Sequence, residues 1–345
     1  MRQSLDELSI LIVTWNGDAL LKGCLDSLVA SCGKRPEIVV VDNANLESTR
    51  FLATAYDGVR YVASERNLGF AGGNNLGFPL CTREYVLLLN NDTIVHEEPF
   101  SAMIEYLESH PRVSVVQGKL RLALMGDVLD SCGEMLTPFG VGYDGHVRHS
   151  CRSATVSSGP VYFAKGALLM MRRSIVDELG GVLFYDFFQN NYEEADFCFR
   201  VWLSGNEVHF VNTPIVDHLQ GQSIRKLNQP EMAGRSLANM WFSLCVNLEG
   251  ASRWWILPRL LLVEFLVWLS MVVRGQWNKA SAYCVAVREI RRRKGLLKMT
   301  RKRVQSMRKR TDGEIFKSIM VRPGLSYFYY LFRGSAEVYT TRHLH

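Results

Sequence analysis

Short apolar runs punctuate the first part of the chain at 8–13, 37–41, 59–63 and 85–89, each of strand length and each followed by polar residues. Between the first two, Leu21, Cys24, Leu25, Leu28 and Cys32 recur at helical spacing, after an Asn16-Gly17 turn and with Asp18 as a helix N-cap. The run at 85–89 has no polar side chain apart from the Tyr85 hydroxyl, which marks a strand buried on both faces. Strand, helix, strand alternation predicts an α/β fold with a doubly wound, mostly parallel sheet.

From about 118 to 160 the periodicity loosens into Gly-rich segments, including 139–145, and reads as a long functional loop region with short strands. An apolar element resumes at 167–176, a helix at 192–204 is stopped by Gly205, and a strand at 207–211 leads to a loop carrying His218. Beyond about 226 the character changes to Trp- and Leu-rich helices, so the expected division is a catalytic domain over 1–225 and a helical region over 226–345. Within the latter, 254–273 is the most apolar stretch, interrupted by Pro258, Arg259 and Glu264. On a wheel of about 100° per residue, Arg253, Arg259, Glu264, Ser270 and Arg274 share an arc of roughly 140° and the rest is apolar. That pattern suits a helix lying in a membrane interface; a buried helix packed on the catalytic domain and a true span are the other two arrangements.

Charge sharpens this picture. The formal net charge is +6, but residues 288–310 hold twelve Lys/Arg against the single acid Glu289, so that window is +11 and the remainder −5. A polybasic segment beside an apolar helix points to the anionic surface of a membrane. The run lacks interleaved aromatics and any groove-reading motif, so nucleic acid is not an expected partner. Eight cysteines without a C-x-x-C pair indicate neither a zinc site nor a disulfide framework, and a reduced, cytosolic setting is expected. No basic, then apolar, N-terminal pattern marks the chain for secretion.

The candidate chemistry sits where the strands end. The first delivers Thr14-Trp15-Asn16, and the second Asp42, whose carboxylate can accept the imide N–H of a uracil or thymine ring. The stretch 66–75, with Asn67, Gly69, Gly72, Gly73 and Asn75, allows close backbone approach to a diphosphate. The strand at 85–89 runs into Asn90-Asn91-Asp92, and Asp92 suits a divalent cation bridging phosphate oxygens, with His218 able to complete its coordination. Glu193, Glu194 and Asp196 cluster at a helix start, where one carboxylate can deprotonate an incoming hydroxyl. Structural readings stand beside each of these: turn residues for Asp42 and Asp92, a favourable helix dipole for the acids, and an i,i+4 ion pair between Asp196 and Arg200.

In order along the chain, 9–16, 40–43, 67–75, 89–92 and 193–196 resemble the family-2 glycosyltransferases with the GT-A fold, most closely their bacterial rhamnosyltransferase-like branch, over about 8–225. The resemblance implies inverting transfer of a sugar from a nucleotide diphosphate donor to an acceptor hydroxyl. By that likeness Thr14, Asn16, Asp42, Asn67, Gly69, Asn75, Asn90 and Asn91 line the donor, with Asp42 on the base. Asp92 and His218 hold Mg²⁺ or Mn²⁺, and Glu194 is the base, with Glu193 and Asp196 as its neighbours. The likeness favours dTDP-rhamnose, ahead of UDP-galactofuranose and other UDP-hexoses; the pairing of these motifs with the apolar, basic C-terminal region leads to the expectation of a cell-surface glycan or lipid-linked acceptor met on the cytoplasmic face of the plasma membrane. Two positions depart from the family pattern: Asn90 stands where an Asp is common, and Glu194 where the base is more often Asp. A sugar nucleotidyltransferase shares the sheet and metal carboxylate, but the Gly-rich, Lys/Arg-bearing loop it needs after the first strand is missing; a non-catalytic membrane scaffold is the remaining alternative.

Overall fold

A computed structural model describes residues 4–143, 156–219 and 229–324, together with 328 and 332. The chain forms two compact units, Met1–Glu134 with His146–Gln220, and Met135–Gly145 with Gly221–His345. Residues 144 and 145 of the Gly-rich stretch, and Cys151, lie outside the described residues. The described cysteines are free thiols.

In the first unit, β1 (Leu8–Thr14), α1 (Asp18–Cys32), β2 (Glu37–Asp42), α2 (Glu47–Thr54), β3 (Val59–Ala63), α3 (Gly69–Gly77) and β4 (Tyr85–Asn90) follow one another as a parallel, wound series. Next come β5 (Thr93–Val95), α4 (Phe100–Ser109), β6 (Val113–Gln117), β7 (Leu120–Leu122) and β8 (Leu129–Ser131). The hairpin strands β9 (Met135–Leu136) and β10 (Gly142–Tyr143) pair with each other in the second unit. The first unit is completed by β11 (Gly159–Pro160), β12 (Leu168–Arg172), α5 (Ser174–Glu178), α6 (Glu193–Leu203), β13 (Glu207–Phe210) and β14 (Val216–His218). The main sheet has the order β11-β13-β6-β12-β4-β1-β2-β3. In it β12 runs antiparallel between β4 and β6, and β11 antiparallel to β13, so the sheet is mixed with six strands sharing one direction. A second sheet, β5-β14-β7-β8, stands beside it.

Local sequence explains most of this. Tyr85–Leu89 is buried throughout because helices cover both faces of a central parallel strand. The five periodic residues of α1 are all buried against the sheet, among them Leu21 and Leu25. Two details differ from expectation. Gly17, not Asp18, occupies the α1 cap position, and the Asp18 carboxylate instead accepts from Thr49 Oγ1 at 2.5 Å. The apolar run at 167–176 is a strand followed by a short helix, because Arg173 ends β12 where its backbone N–H bonds Glu84 O at 2.8 Å.

The glycine-rich stretch expected to cradle phosphates is helix α3, and its glycines serve packing. A Cβ on Gly77 would stand 2.3 Å from Leu11 Cδ1 and 2.6 Å from Val41 Cγ2. Gly77→Ala should therefore overpack the helix against β1 and β2 and cost about 1–3 kcal/mol, read as a lower urea midpoint at unchanged m-value.

The second unit holds α7 (Pro230–Asn247), α8 (Gly250–Val273), α9 (Trp277–Arg292), α10 (Lys294–Ser306) and α11 (Asp312–Ile319). Met135–Gly145 joins this unit because Leu136 bridges Met320 and accepts from Val321 N at 2.9 Å, while Gly140 packs on Leu244 and Ile256. Part of the basic run is internal. Arg301 donates to the carbonyls of Cys245, Val246 and Leu248 at 2.8, 3.1 and 2.7 Å, and Arg308 to Asn247 O, so the exposed C-terminal carbonyls of α7 are capped by guanidinium groups.

Candidate active site

Strand pairing brings distant polar residues to one edge of the first unit. β1 and β4 are in register at Val13 and Asn90, which places Asn91 Nδ2 2.9 Å from Thr14 Oγ1 as its donor. β14 pairs antiparallel with β5 so that His218 faces Thr93, and Leu219 N donates to Asp92 O at 2.9 Å. The result sets His218 Nε2 3.3 Å from Asp92 Oδ1 and 3.3 Å from Asn90 Nδ2. His218 therefore lies at the end of a strand rather than on a loop, and the strand is what aims it.

Behind the imidazole stands Asp130, at the centre of β8, which no local signal in the sequence singles out. His218 Nδ1 is 2.7 Å from Asp130 Oδ2, and Lys165 Nζ donates to Asp130 Oδ1 at 2.7 Å. Burial pushes the Asp130 carboxyl up, but Lys165 and His218 together outweigh that and bring it down to about 2. An ionised Asp130 accepts from Nδ1 and directs the Nε2 edge of the ring toward Asp92 and Asn90, the arrangement by which second-layer carboxylates orient metal-binding histidines.

The two residues at 165–166 connect this cluster to the acids of α6. Lys165 N donates to Gln117 Oε1 at 2.6 Å, and Gly166 N donates to Glu194 Oε1 at 3.2 Å. Glu194 is half-buried; burial raises its carboxyl, opposed by its own and the Gly166 backbone N–H and by Lys165. Its neighbours are placed differently. Asp196 is buried and accepts from Arg200 Nε at 2.9 Å, while Arg200 also donates to Val182 O and Leu183 O at 2.8 and 2.6 Å. That removes Asp196 as a base: its carboxylate belongs to a buried ion pair. Glu193 is buried too, its Oε2 without a hydrogen-bond partner among the described residues, and burial followed by repulsion from Glu194 pushes its carboxyl far up. Burial and the neighbouring Glu194 thus favour the protonated form of Glu193.

A group whose folded-state value is raised contributes most below its unfolded value and loses that contribution as pH rises toward the folded one. Glu193→Gln, which keeps a neutral side chain, should match the wild type near pH 4 and melt at higher temperature than it at pH 8.

The donor-lining expectations divide. Asp42 is 0% exposed, and its oxygens accept from Ala44 N (2.8 Å), Leu46 N (2.8 Å) and Tyr61 OH (2.9 Å). Its carboxylate is the hub of the β2–α2 turn. The acceptor left open where β2 ends is Asn43 Oδ1, buried and without a partner among the described residues, while Asn43 Nδ2 donates to Gly69 O at 2.8 Å. Gly69 and Asn75 also make contacts within the protein. A Cβ on Gly69 (φ 72°) would lie 2.5 Å from Gln189 O, Ala71 N donates to Gln189 O at 2.9 Å, and Asn75 Nδ2 donates to Phe184 O and Asp186 Oδ1 at 2.8 and 2.6 Å. These residues grip the segment that leads to Glu194. Asn67 accepts from Gly69 N at 2.8 Å and so starts that helix. Gln189, Asn191 and Tyr192 have φ of 59°, 69° and 74°, a run of left-handed backbone immediately before the catalytic candidates. Asn16, also left-handed at φ 51°, is exposed beside Trp15.

The donor set fits a hard divalent cation in part. Among the described residues no group of three or more His, Cys, Asp or Glu side chains forms a metal cluster. Asp92 and His218 alone supply one carboxylate oxygen and one imidazole nitrogen 3.3 Å apart, close to the roughly 3 Å between adjacent ligands on an octahedral ion with bonds of about 2.1 Å. An ion held by these two side chains would draw its other ligands from water and phosphate, as Mg²⁺ usually does in nucleotide sites.

The first unit has the GT-A fold, a mixed α/β sheet with a carboxylate and a histidine at one strand edge and an acidic helix start in the same unit. The chain belongs to the family-2 glycosyltransferases: residues 9–124 match Glycosyl transferase family 2, and residues 85–285 match Glycosyl transferase family group 2. It is 27% identical over 233 residues to the low-salt glycan biosynthesis hexosyltransferase Agl10 of Haloferax volcanii, covering 64% of this chain and 69% of that protein. It is 35% identical over 111 residues to the amylovoran biosynthesis glycosyltransferase AmsE of Erwinia amylovora, covering 30% of this chain but only 42% of the relative. The fold is similar to that of S. aureus TarS 1-349 at a TM-score of 0.54 and 16% identity, covering 87% of this chain and 88% of that one. It is also similar to GalNAc-T7, solved with UDP, GalNAc and Mn²⁺, at a TM-score of 0.53 and 16% identity, covering 69% of this chain and 47% of that one.

Proposed function

We propose that this chain is an inverting, metal-dependent glycosyltransferase that moves a sugar from a nucleotide diphosphate to a hydroxyl of a cell-envelope glycan, free or lipid-linked, on the cytoplasmic side of the plasma membrane. The observation that carries this reading is the Lys165-Gly166 pair. It braces Glu194 through one backbone N–H and, through the Lys165 side chain, the Asp130 that orients His218.

In this reading Glu194 takes the proton of the acceptor hydroxyl as the acceptor oxygen attacks the anomeric carbon. The bond from that carbon to the diphosphate oxygen breaks on the opposite face, and the configuration inverts. Mg²⁺ or Mn²⁺ bound at Asp92 and His218 supplies neutralising charge for the departing diphosphate. Asn90 and Asn91 flank that position, and Asn91 is held by Thr14. Burial that raises Glu194 suits it to the task, since a base works best with a proton affinity near the working pH.

The motif likeness makes dTDP-rhamnose the first donor to test, and the names of the similar proteins widen the panel to UDP-N-acetylglucosamine and UDP-hexoses. Nucleoside diphosphate release is measured with Mn²⁺ or EDTA, with envelope extract as acceptor. Release from one donor that stops in EDTA is expected. No release from any donor would overturn the reading in favour of a non-catalytic scaffold.

The bracing itself can be tested. A Cβ on Gly166 would sit 2.9 Å from both Glu194 Oε1 and Phe70 Cζ. Gly166→Ala should displace the base and lower kcat by about 10–100-fold at unchanged donor KM.

A further inference from the structure

We propose that the outward face of α8 seats the second unit in the interface of an anionic membrane, with the helix axis in the membrane plane. One side of this 24-residue helix is fixed within its own unit: Ile256, Leu260, Val263 and Val267 are buried. Glu264 is on that side as well, only 9% exposed, and accepts from Tyr283 OH of α9 at 2.5 Å. The polar arc visible in the sequence is thus the arc that faces inward at its centre, and the apolar arc faces out. Trp254 (85% exposed), Leu262 (59%), Phe265 (53%) and Val273 (77%), with Leu261 and Leu269, form that outer face. They span roughly 120° of helix surface with no charged side chain among them.

Three features select a lipid surface over another apolar occupant. The exposed charges of the helix and its end are both basic: Arg259, which lies over the Trp255 ring at 5.2 Å, and Arg274, which donates to the carbonyl of Phe332. The guanidinium of Arg259, on the shoulder of the apolar face, is placed to reach headgroup phosphates while its stem stays with the acyl chains, and Arg274 adds positive charge at the helix end. Trp254 is exposed at the start of the face and Trp277 is exposed where α9 begins, four residues beyond its end, and indole favours a membrane boundary. And the remaining exposed bases of the same unit, including Arg291, Arg292, Lys294, Lys298 and Lys302, add long-range attraction to anionic lipid. An in-plane seat also leaves the Glu264–Tyr283 pair and the packing of α9 undisturbed, whereas crossing the bilayer would carry this buried carboxyl to its centre.

The proposal is independent of the transferase reading, and its test keeps the two apart. The purified full chain is floated with vesicles of phosphatidylcholine alone or with a quarter phosphatidylglycerol, beside a Leu262→Asp/Phe265→Asp variant and an Arg259→Gln/Arg274→Gln variant. Nucleoside diphosphate release and the thermal midpoint are followed for each. The wild type should float with anionic vesicles, less so at high salt, with a blue shift of Trp emission. The aspartate variant should bind at least tenfold more weakly at unchanged midpoint and soluble turnover, and the glutamine variant should lose the preference for anionic lipid. Equal flotation of wild type and aspartate variant would overturn the proposal. So would a wild type that ignores vesicles and sediments as a dimer which the aspartates dissociate, since the face would then be a contact between copies.

Discussion

Glu194→Gln is expected to remove sugar transfer almost entirely while leaving the protein folded. The substitution keeps the size of the side chain and its oxygen facing Gly166 N, so the donor site and the bracing loop persist, but the amide cannot take a proton. A positioned general base contributes about 10²–10⁴-fold, and that is the loss expected in kcat, with donor KM little changed because Glu194 handles the acceptor. The wild-type pH profile carries the complementary signature. Glu194 must be ionised to act, and burial raises its proton affinity, so kcat/KM should rise with pH along an acid limb displaced above the ordinary glutamate value. Glu194→Asp keeps the charge but retracts it by one methylene, and should retain part of the activity. A glutamine variant that transfers sugar at the wild-type rate would remove Glu194 from the mechanism.

The second large effect concerns the acid two residues further on. Arg200→Met should destabilise the protein by about 3–5 kcal/mol, because it leaves the Asp196 carboxylate buried without its cation. Arg200 is itself buried, donates to Asp196, Val182 and Leu183, and lies over the Tyr185 ring at 4.8 Å, so it also ties down the segment leading to the catalytic loop. Asp196→Leu combined with Arg200→Met removes both charges and should recover much of the loss, since a buried ion pair contributes little over apolar residues that fill the same space. Urea unfolding of the two single variants and the double variant measures the coupling. Additive losses would show that the two side chains do not act as a pair.

Much of the site could be read from the chain because its parts are local. Apolar runs ending in Asn90-Asn91-Asp92 and in the acids of α6 announce themselves by strand and helix periodicity. His218 is legible only as an isolated histidine after a strand; what gives it a role is the β5–β14 pairing, which joins positions more than 120 residues apart. Asp130 carries no local signal, because a single aspartate in a short irregular strand reads as a turn until β7 and β14 bring it to the imidazole. Lys165 and Gly166 were hidden for the same reason, and so was helix α4 with β6, where a polar Ser114 and Gln117 interrupt the apolar run yet are buried by hydrogen bonds to Asn206 and Lys165.

Asp42, Gly69 and Asn75 mark where motif and contact part company. Their residue types suit ligands, but a carboxylate beside free backbone N–H groups, or a glycine facing another chain segment's carbonyl, is satisfied just as well within the protein, and sequence spacing does not distinguish the two. The helical wheel of α8 teaches the same point: it separated a polar from an apolar arc, and only Tyr283 on a neighbouring helix decides that Glu264 turns inward. The sequence by itself determined the α/β order of strands and helices, because that rests on local periodicity, and its ordered motifs carry the resemblance to the family. Which carboxylate is locked in an ion pair, which stays half-exposed beside Gly166, and which histidine faces Asp92 were decided only by the tertiary structure, because burial and pairing across distant strands set the surroundings and direction of each group.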